Sequence, residues 1–306
     1  MPKKSNSIVV VGSSNTDMIL RVPRIPGPGE TLLGGEFAMA AGGKGANQAV
    51  AAARAGGQVT FVGAFGEDSL GEQALAGLRR EGIDVSHVRR VKNKASGVAL
   101  IFVSNEGENC IGVAGGANEA LLPADVVRVR DVFTPGAWVV MQLETPLRTI
   151  TRVAALAKKA GCKVILNPAP AATLPGKLLT NIDLLTPNEH EASVMTGHKV
   201  VDQKSAKLAA EALHQRGVAG VIITLGARGA YVSVGEMRTL APGFKVKPVD
   251  TTAAGDVFNG ALAVRLSEGA ALDDAIRFAH AAAAISVTRR GAQPSIPNRR
   301  EITRFL

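Results

Sequence analysis

Short runs of apolar residues recur along this chain, and each empties into a polar or glycine-rich turn. They are Ile8 to Ser13, Gln58 to Gly66, Ala137 to Gln142, Cys162 to Leu166, Ile182 to Thr186 and Val221 to Thr224. A run without in-and-out alternation suits a strand covered on both faces, as in a parallel sheet. Between the runs lie stretches with apolar residues at helical spacing: Ser69 to Glu81, Pro146 to Ala160, Asp256 to Glu268, and Leu272 to about Arg290. Strands alternating with helices predict an α/β fold with a doubly wound, mostly parallel sheet and helices on both faces. The 306 residues then form a single domain. Two segments break the pattern. Residues 17–40 are rich in Pro and Gly with short β-like pieces, and residues 90–113 hold a hairpin turning at NEGE. Together they predict a small β-sheet lid outside the main sheet.

The formal charge of +9 raises the question of nucleic acid. The basic residues are scattered as pairs, Arg79-Arg80, Arg89-Arg90, Arg289-Arg290 and Arg299-Arg300, with no interleaved aromatics for base stacking. That pattern argues for a solvated basic surface or phosphorylated ligands, not a nucleic-acid partner. Cys110 and Cys162 have no C-x-x-C spacing, which argues against a disulfide scaffold or a zinc site and fits a reducing compartment. Lys3 and Lys4 precede only IVVVG, too short for a signal-peptide core. No stretch approaches the roughly 18 apolar residues of a membrane helix. The expectation is a cytoplasmic protein with no membrane partner.

In open α/β sheets ligands bind beyond the carboxyl ends of strands. Asn15 and Asp17 follow the first strand and Glu144 a later one. Asn188 and Glu191 sit in the first turn of a helix, and the turn from Thr224 to Gly229 follows another strand. The stretch AAGGKGANQA opens a helix with Gly42, Gly43 and Gly45 exposing backbone, and Lys44 and Asn47 are available to oxygen-rich ligands. It is not a P-loop: G-x-x-x-x-G-K-[ST] fails at Ala38 and Gly45. In DTTAAGDVFNG, small residues Ala253, Ala254 and Gly255 lie against the carboxylate of Asp256 at a helix start. Unpaired N–H groups there suit an anion, and a carboxylate beside them suits proton removal. The alternative is an ordinary first-turn acid. Carboxylates and amides without a Cys/His cluster suit Mg²⁺ held through water and phosphate oxygens. His190, His198 and His280 are therefore not read as metal ligands, and His280, in an Ala-rich run, reads as a packed helix histidine.

GSSNTD (12–17), GGKGANQA (42–49), TPNEHE (186–191), TLGARG (224–229), DTTAAGD (250–256) and GAQPS (291–295) closely resemble the motifs of the ribokinase family of carbohydrate kinases. The resemblance runs from the first strand to the last helix. It implies ATP-dependent phosphorylation of a sugar, with D-ribose at its 5-hydroxyl as the leading reading and fructose or a nucleoside as alternatives; 2-deoxyribose stays open, because one hydroxyl decides it and no residue announces which. Trp138 and Tyr231 both fall in main-sheet strands, which leaves a nucleoside base little aromatic platform. A sugar-binding regulator that has lost catalysis is a rival that the intact Asp256 loop opposes. By this resemblance Asp256 is the catalytic base, and Ala253, Ala254 and Gly255 belong to the anion hole. Asn15, Thr16, Asp17, Gly43, Lys44, Gly45, Ala46, Asn47 and Glu144 hold the sugar. Asn188, Thr224, Leu225, Gly226, Ala227, Arg228, Gly229, Gly255 and His280 meet ATP, and Glu191 organises Mg²⁺ through water. It also implies a homodimer formed through the lid. For K⁺ it implies Asp250, Thr252, Ser286, Arg289, Gly291 and Ser295, partly through backbone oxygens. The predicted helix end near Arg290-Gly291 would leave carbonyls free for such an ion. As a bare sequence feature, GAQPS is equally a helix-terminating turn.

Overall fold

The computed structural model describes residues 7–306, so Lys3 and Lys4 lie outside it. Along the chain the first elements are β1 (Ser7–Val11), β2 (Asn15–Val22), β3 (Glu36–Gly42), α1 (Lys44–Arg54), β4 (Gln58–Val62), β5 (Ala64–Gly66) and α2 (Ser69–Arg80). Then come β6 (Arg89–Val91), β7 (Gly97–Ser104), β8 (Asn109–Ala114), α3 (Pro123–Arg128), β9 (Trp138–Met141), α4 (Leu147–Lys159), β10 (Lys163–Leu166) and α5 (Gly176–Leu179). The rest are β11 (Leu184–Leu185), α6 (Glu189–Thr196), α7 (Gln203–Gln215), β12 (Gly220–Thr224), β13 (Ala230–Val234), β14 (Met237–Ala241), α8 (Ala254–Ser267), α9 (Leu272–Ser286) and α10 (Arg299–Phe305).

Among the described residues the main sheet has eight strands in the order β14-β13-β12-β11-β10-β9-β1-β4. It is parallel from β12 to β4, with β13 and β14 added antiparallel at one edge. Successive strand residues point to opposite faces, and both faces are covered. Ile8, Val10, Val140, Ile165 and Ile222 pack under α1, α8 and α9. Val9, Val11, Val139, Leu166 and Ile223 pack under α4, α6 and α7. This explains the unalternating apolar runs. α8 is buried or nearly so along most of its length, between α1 and α9, which small residues such as Gly260, Ala261 and Ala263 permit. The chain runs outward from β1 to β4, then back across β1 to β9 and on to β12. Strand order therefore reverses between β1 and β9, where such sheets open a crevice.

A second sheet has the order β3-β2-β7-β8. Arg90 and Val91, inside the segment expected to join it, instead belong to β6, which pairs with β5 in a two-stranded sheet. The register places Phe37 opposite Leu20, Met39 opposite Met18, and Met18 beside Leu100, so these side chains share one face. Phe37, Met39 and Leu100 are exposed there.

Two helix boundaries differ from the sequence expectation. α9 stops at Ser286, not near Arg290, because the Val287 carbonyl is claimed from outside by the N–H groups of Val249 (2.7 Å) and Asp250 (3.1 Å). The unforeseen α10 starts from a reciprocal cap, in which Asn298 and Glu301 each accept from the other's backbone N–H. Among the described residues no helix is long and apolar enough to cross a membrane.

Candidate active site

The loop leaving β1 and the start of α1 meet at the reversal point. Gly45 sits against the loop so closely that a Cβ there would lie 2.5 Å from the Ser13 nitrogen. Gly43, with φ 86°, precedes the helix in a backbone conformation that favours glycine. Ala46 N–H donates to the Ser13 carbonyl at 2.8 Å. Glu144, just beyond β9, accepts from the Ser13 hydroxyl at 2.6 Å and from Lys44 N–H at 3.0 Å, bridging the crevice. Asn15 is fixed by Asn118, whose Nδ2 donates to its Oδ1 at 2.8 Å. Thr16 and Asp17 lie on β2, with Asp17 packed over Gly42.

Asp256 is in the first turn of α8 and is 5% exposed. Asn47 Nδ2 donates to its Oδ2 and Gln48 Nε2 to its Oδ1, both at 3.0 Å. The Asn47 Oδ1 is buried with no partner, so it remains an acceptor for a bound hydroxyl. Ala253, the residue before α8, holds a left-handed φ of 61°. Its neighbour Ala254 turns its N–H toward the Thr251 carbonyl at 3.3 Å, so Ala254 contributes less to an anion site than its position suggests. Gly255 and Asp256 have N–H groups that helix geometry leaves without an intrahelical acceptor.

Ala253, Ala254, Gly255 and Asp256 border a cavity of about 210 Å³ that Lys44, Asn188, Glu191 and Thr224 also line. Burial pushes the Asp256 carboxyl above its usual range, against the pull of Lys44 and the amides of Asn47 and Gln48. Asp17 is raised to about 6, first by burial and then by the charges of Glu144 and Asp256. Burial also raises Glu191. Burial works to lower Lys44, but Asp256, Glu144, Glu191 and Asp17 together outweigh it and hold the ammonium charged. Lys44, expected with the sugar residues, also lines this cavity beside Asn188 and Glu191.

Asn188 caps α6, and Glu191 is held by it: Asn188 N–H and Nδ2 donate to the two carboxylate oxygens at 2.8 and 2.9 Å. Thr224 N–H donates to the Pro187 carbonyl at 2.9 Å, joining the two loops. After Leu225, which is buried, Gly226, Ala227 and Arg228 are exposed, and Arg228 pairs with Glu189. Gly229 lies against the backbone of Pro242 and Gly243. His280 does not line the cavity. It packs on Phe258 with ring centroids 5.2 Å apart, its Nδ1 lies 3.2 Å from the Pro242 carbonyl, and its Nε2 is buried without a partner. Its link to the Gly226–Gly229 turn runs through the Pro242 loop.

The segments expected to hold K⁺ do converge. Asp250 accepts from Thr252 N–H at 2.9 Å and from Gly291 N–H at 2.8 Å. The Ser286 carbonyl accepts from Arg289 N–H at 3.0 Å, and the Arg289 side chain pairs with Glu301 at 2.5 Å. Ser295 is buried, its hydroxyl donating to Ala292.

Sequence reasoning missed the amides behind Asp256: Gln48, Gln142, Asn167 and Asn259. Asn167 carried a signal, since it ends β10. Gln48 carried none, because helical spacing there predicts an apolar side chain.

The chain matches the model of the pfkB family carbohydrate kinases over residues 5–299. It is 47% identical to a ribokinase of Haemophilus influenzae over 300 residues, 98% of both chains. It is 35% identical to a deoxyribokinase of Salmonella typhi, again across 98% of both. A ribokinase of Arabidopsis thaliana, solved with ribose and ATP, superposes with a TM-score of 0.90 at 35% identity and 98% coverage of each chain.

Proposed function

The chain belongs to the pfkB family of carbohydrate kinases, and from that premise we propose that it transfers the γ-phosphoryl group of ATP to the 5-hydroxyl of D-ribose. The observation that carries the reading is the buried Asp256 carboxylate, oriented by Asn47 and Gln48 beside the amides of Gly255 and Asp256. The sugar is held by Asn15, Asp17, Asn47 and Glu144. Its hydroxyl gives its proton to Asp256 as the oxygen bonds to the γ-phosphorus, and the bond to the β–γ bridging oxygen breaks to release ADP. Amides at the start of α8 and the Lys44 ammonium offset the charge on the transferred group. Asn188 and the Thr224–Gly229 turn serve the nucleotide.

Among the described residues no three His, Cys, Asp or Glu side chains group as a metal site. Glu191 already accepts two hydrogen bonds from Asn188. The donor set fits Mg²⁺ held by phosphate oxygens and water, with Glu191 ordering that water and the ion neutralising phosphate charge. The Asp250 carboxylate and the carbonyls beyond α9 fit K⁺, which would stiffen the loop leading to Ala253. The test is ADP release with ATP and ribose, 2-deoxyribose, fructose or adenosine, in K⁺ or Na⁺ at constant ionic strength. Ribose should turn over fastest and K⁺ should accelerate it. Higher kcat/KM for another acceptor overturns the substrate, and equal rates in both salts overturn the K⁺ role.

Asp17→Ala should weaken ribose binding by about 1–3 kcal/mol, the cost of stranding hydroxyls in a buried site, with ATP affinity unchanged by calorimetry. The ionised carboxylate is the better acceptor, so ribose affinity should fall as pH drops through about 6 in the wild type. For folding the sign is opposite. A carboxyl raised from 3.8 to about 6 favours the fold at low pH and loses that contribution as pH rises through this window. A ribose affinity independent of pH between 5 and 8 would remove Asp17 from the sugar site.

The uncovered face of Phe37, Met39 and Leu100 supports a homodimer through the second sheet, since a small sheet with one bare apolar face needs a partner. Sedimentation should show a dimer at micromolar concentration for the wild type and a monomer for Leu100→Lys. A monomeric wild type would refute the pairing.

A further inference from the structure

We propose that Gln48 is a positioning residue for Asp256, held in its working orientation by Gln142. The proposal rests on Asp256 acting as the base. Gln48 and Gln142 are both fully buried, in α1 and just beyond β9. Buried amides are costly to keep in a core that apolar side chains could fill; Gln48 bonds the carboxylate of Asp256 directly and Gln142 bonds Gln48.

The hydrogen bonds run in one direction. Gln142 Nε2 donates to Gln48 Oε1 at 2.7 Å. An amide has a donor end and an acceptor end, so this contact turns the Gln48 nitrogen the other way. It then donates both its hydrogens, to Asp256 Oδ1 at 3.0 Å and to Asn167 Oδ1 at 3.1 Å. Asn167 is itself fixed, donating to the Thr186 carbonyl at 3.1 Å. The Thr186 hydroxyl meets Asn259 Oδ1 at 2.6 Å, and Asn259 donates to the Gly255 carbonyl at 2.8 Å. One line of side chains thus ties the orientation of the base to the first turn of α8, where the phosphoryl group would be met.

Asn47 keeps one amide oxygen without a protein partner, whereas both ends of the Gln48 amide are spent on protein groups. Removing Gln48 therefore leaves the sugar contacts in place but frees the carboxylate to rotate and withdraws a donor from its charged form. The charged groups facing Asp256 are Lys44 from α1, Asp17 from β2, Glu144 from beyond β9 and Glu191 from α6. Three are acids, so a weakened donor shell leaves Asp256 ionising at higher pH.

The test is the pH profile of kcat/KM for Gln48→Met and Gln142→Met, with ribose affinity by calorimetry and folding by thermal unfolding. Gln48→Met should move the acid limb up by about one pH unit, the tenfold effect of one hydrogen bond to an ionised group. Ribose affinity should stay within about threefold, since that one bond does not reach the sugar. Gln142→Met touches Asp256 nowhere and should shift the limb the same way by less. Asp17 titrates in all three proteins and cancels in the comparison. A lower rate with an unmoved limb in a folded Gln48→Met would mean that Gln48 only fills space, and would overturn the proposal. If that variant does not fold, Gln142→Met decides alone. Asp256→Asn separates the two ideas: if it keeps turnover, the base assignment fails, and if it is inert while the limb stays put, only the role of Gln48 fails.

Discussion

Asp256→Asn should fold, bind ATP with wild-type affinity and lose about 10² to 10⁴ in kcat, the range that removal of a general base carries. The substitution keeps the shape of the side chain. Gln48 can still donate to the remaining oxygen, but Asn47 Nδ2 then faces another NH₂ group instead of Oδ2. The base and one of its two hydrogen bonds are lost together, while the cavity wall at Asn188, Glu191 and Thr224 is untouched. Neutralising Asp256 also removes one of four acids that keep the half-buried Lys44 charged, and three remain. ATP affinity should therefore hold even as turnover falls. Steady-state kinetics and calorimetry on the same preparation check both halves. Turnover within tenfold of wild type would mean that the hydroxyl proton leaves by another route.

The readable parts of this site were those dictated by the backbone. A parallel sheet brings the carboxyl ends of β1, β9, β10, β11 and β12 to one edge, so polar residues just past those ends had to meet. Asp17, Glu144, Asn188 and the Thr224–Gly229 turn could be placed that way without side-chain information. The glycines at 43 and 45 were readable for a related reason, since a helix start that must touch another loop cannot carry side chains. What stayed hidden depends on pairings between distant side chains. Gln48 finds Gln142, Asn167 and Asp256 across separations of 94, 119 and 208 residues, and no periodicity encodes that. The end of α9 was hidden likewise. Val287 and Thr288 continue the helical pattern, and groups from another segment stop it: the N–H groups of Val249 and Asp250 reach the Val287 carbonyl, and the Asp250 carboxylate takes the Gly291 N–H. Lys44 was read from its neighbours as a sugar contact. Its long side chain lets it line the cavity beside Asn188, Glu191 and Thr224 as well.

Gly260→Ala tests the helix pair that carries the base. Asp256 and Gly260 are four residues apart and lie on one face of α8, the face turned to α1. A Cβ at position 260 would come within 2.6 Å of both the Ala51 Cβ and the Gln48 carbonyl oxygen, and within 2.8 Å of the Ala52 nitrogen. Two of those three atoms are backbone, so the clash is relieved only by moving α1 and α8 apart. Alanine's better helix propensity, about 1 kcal/mol over glycine, opposes the clash. Overpacking a core contact typically costs about 1–3 kcal/mol and occasionally more, and a rigid contact at 2.6 Å belongs at the upper end. The net expectation is a loss of about 2 kcal/mol, or several degrees in Tm. The same displacement stretches the bonds from Asn47 and Gln48 to Asp256 one turn away, so kcat should fall about tenfold or more while the protein remains folded. Gly77→Ala is the control. Gly77 lies in α2, outside the cavity lining, and a new Cβ there meets nothing nearer than the Arg80 guanidinium at 3.7 Å. There only the propensity gain remains, so Tm should rise slightly and kcat should not change. Thermal unfolding and initial rates on the two variants decide it. A Gly260→Ala protein as stable and as fast as Gly77→Ala would mean that α1 and α8 can separate freely, and that the geometry of Asp256 does not depend on their close contact.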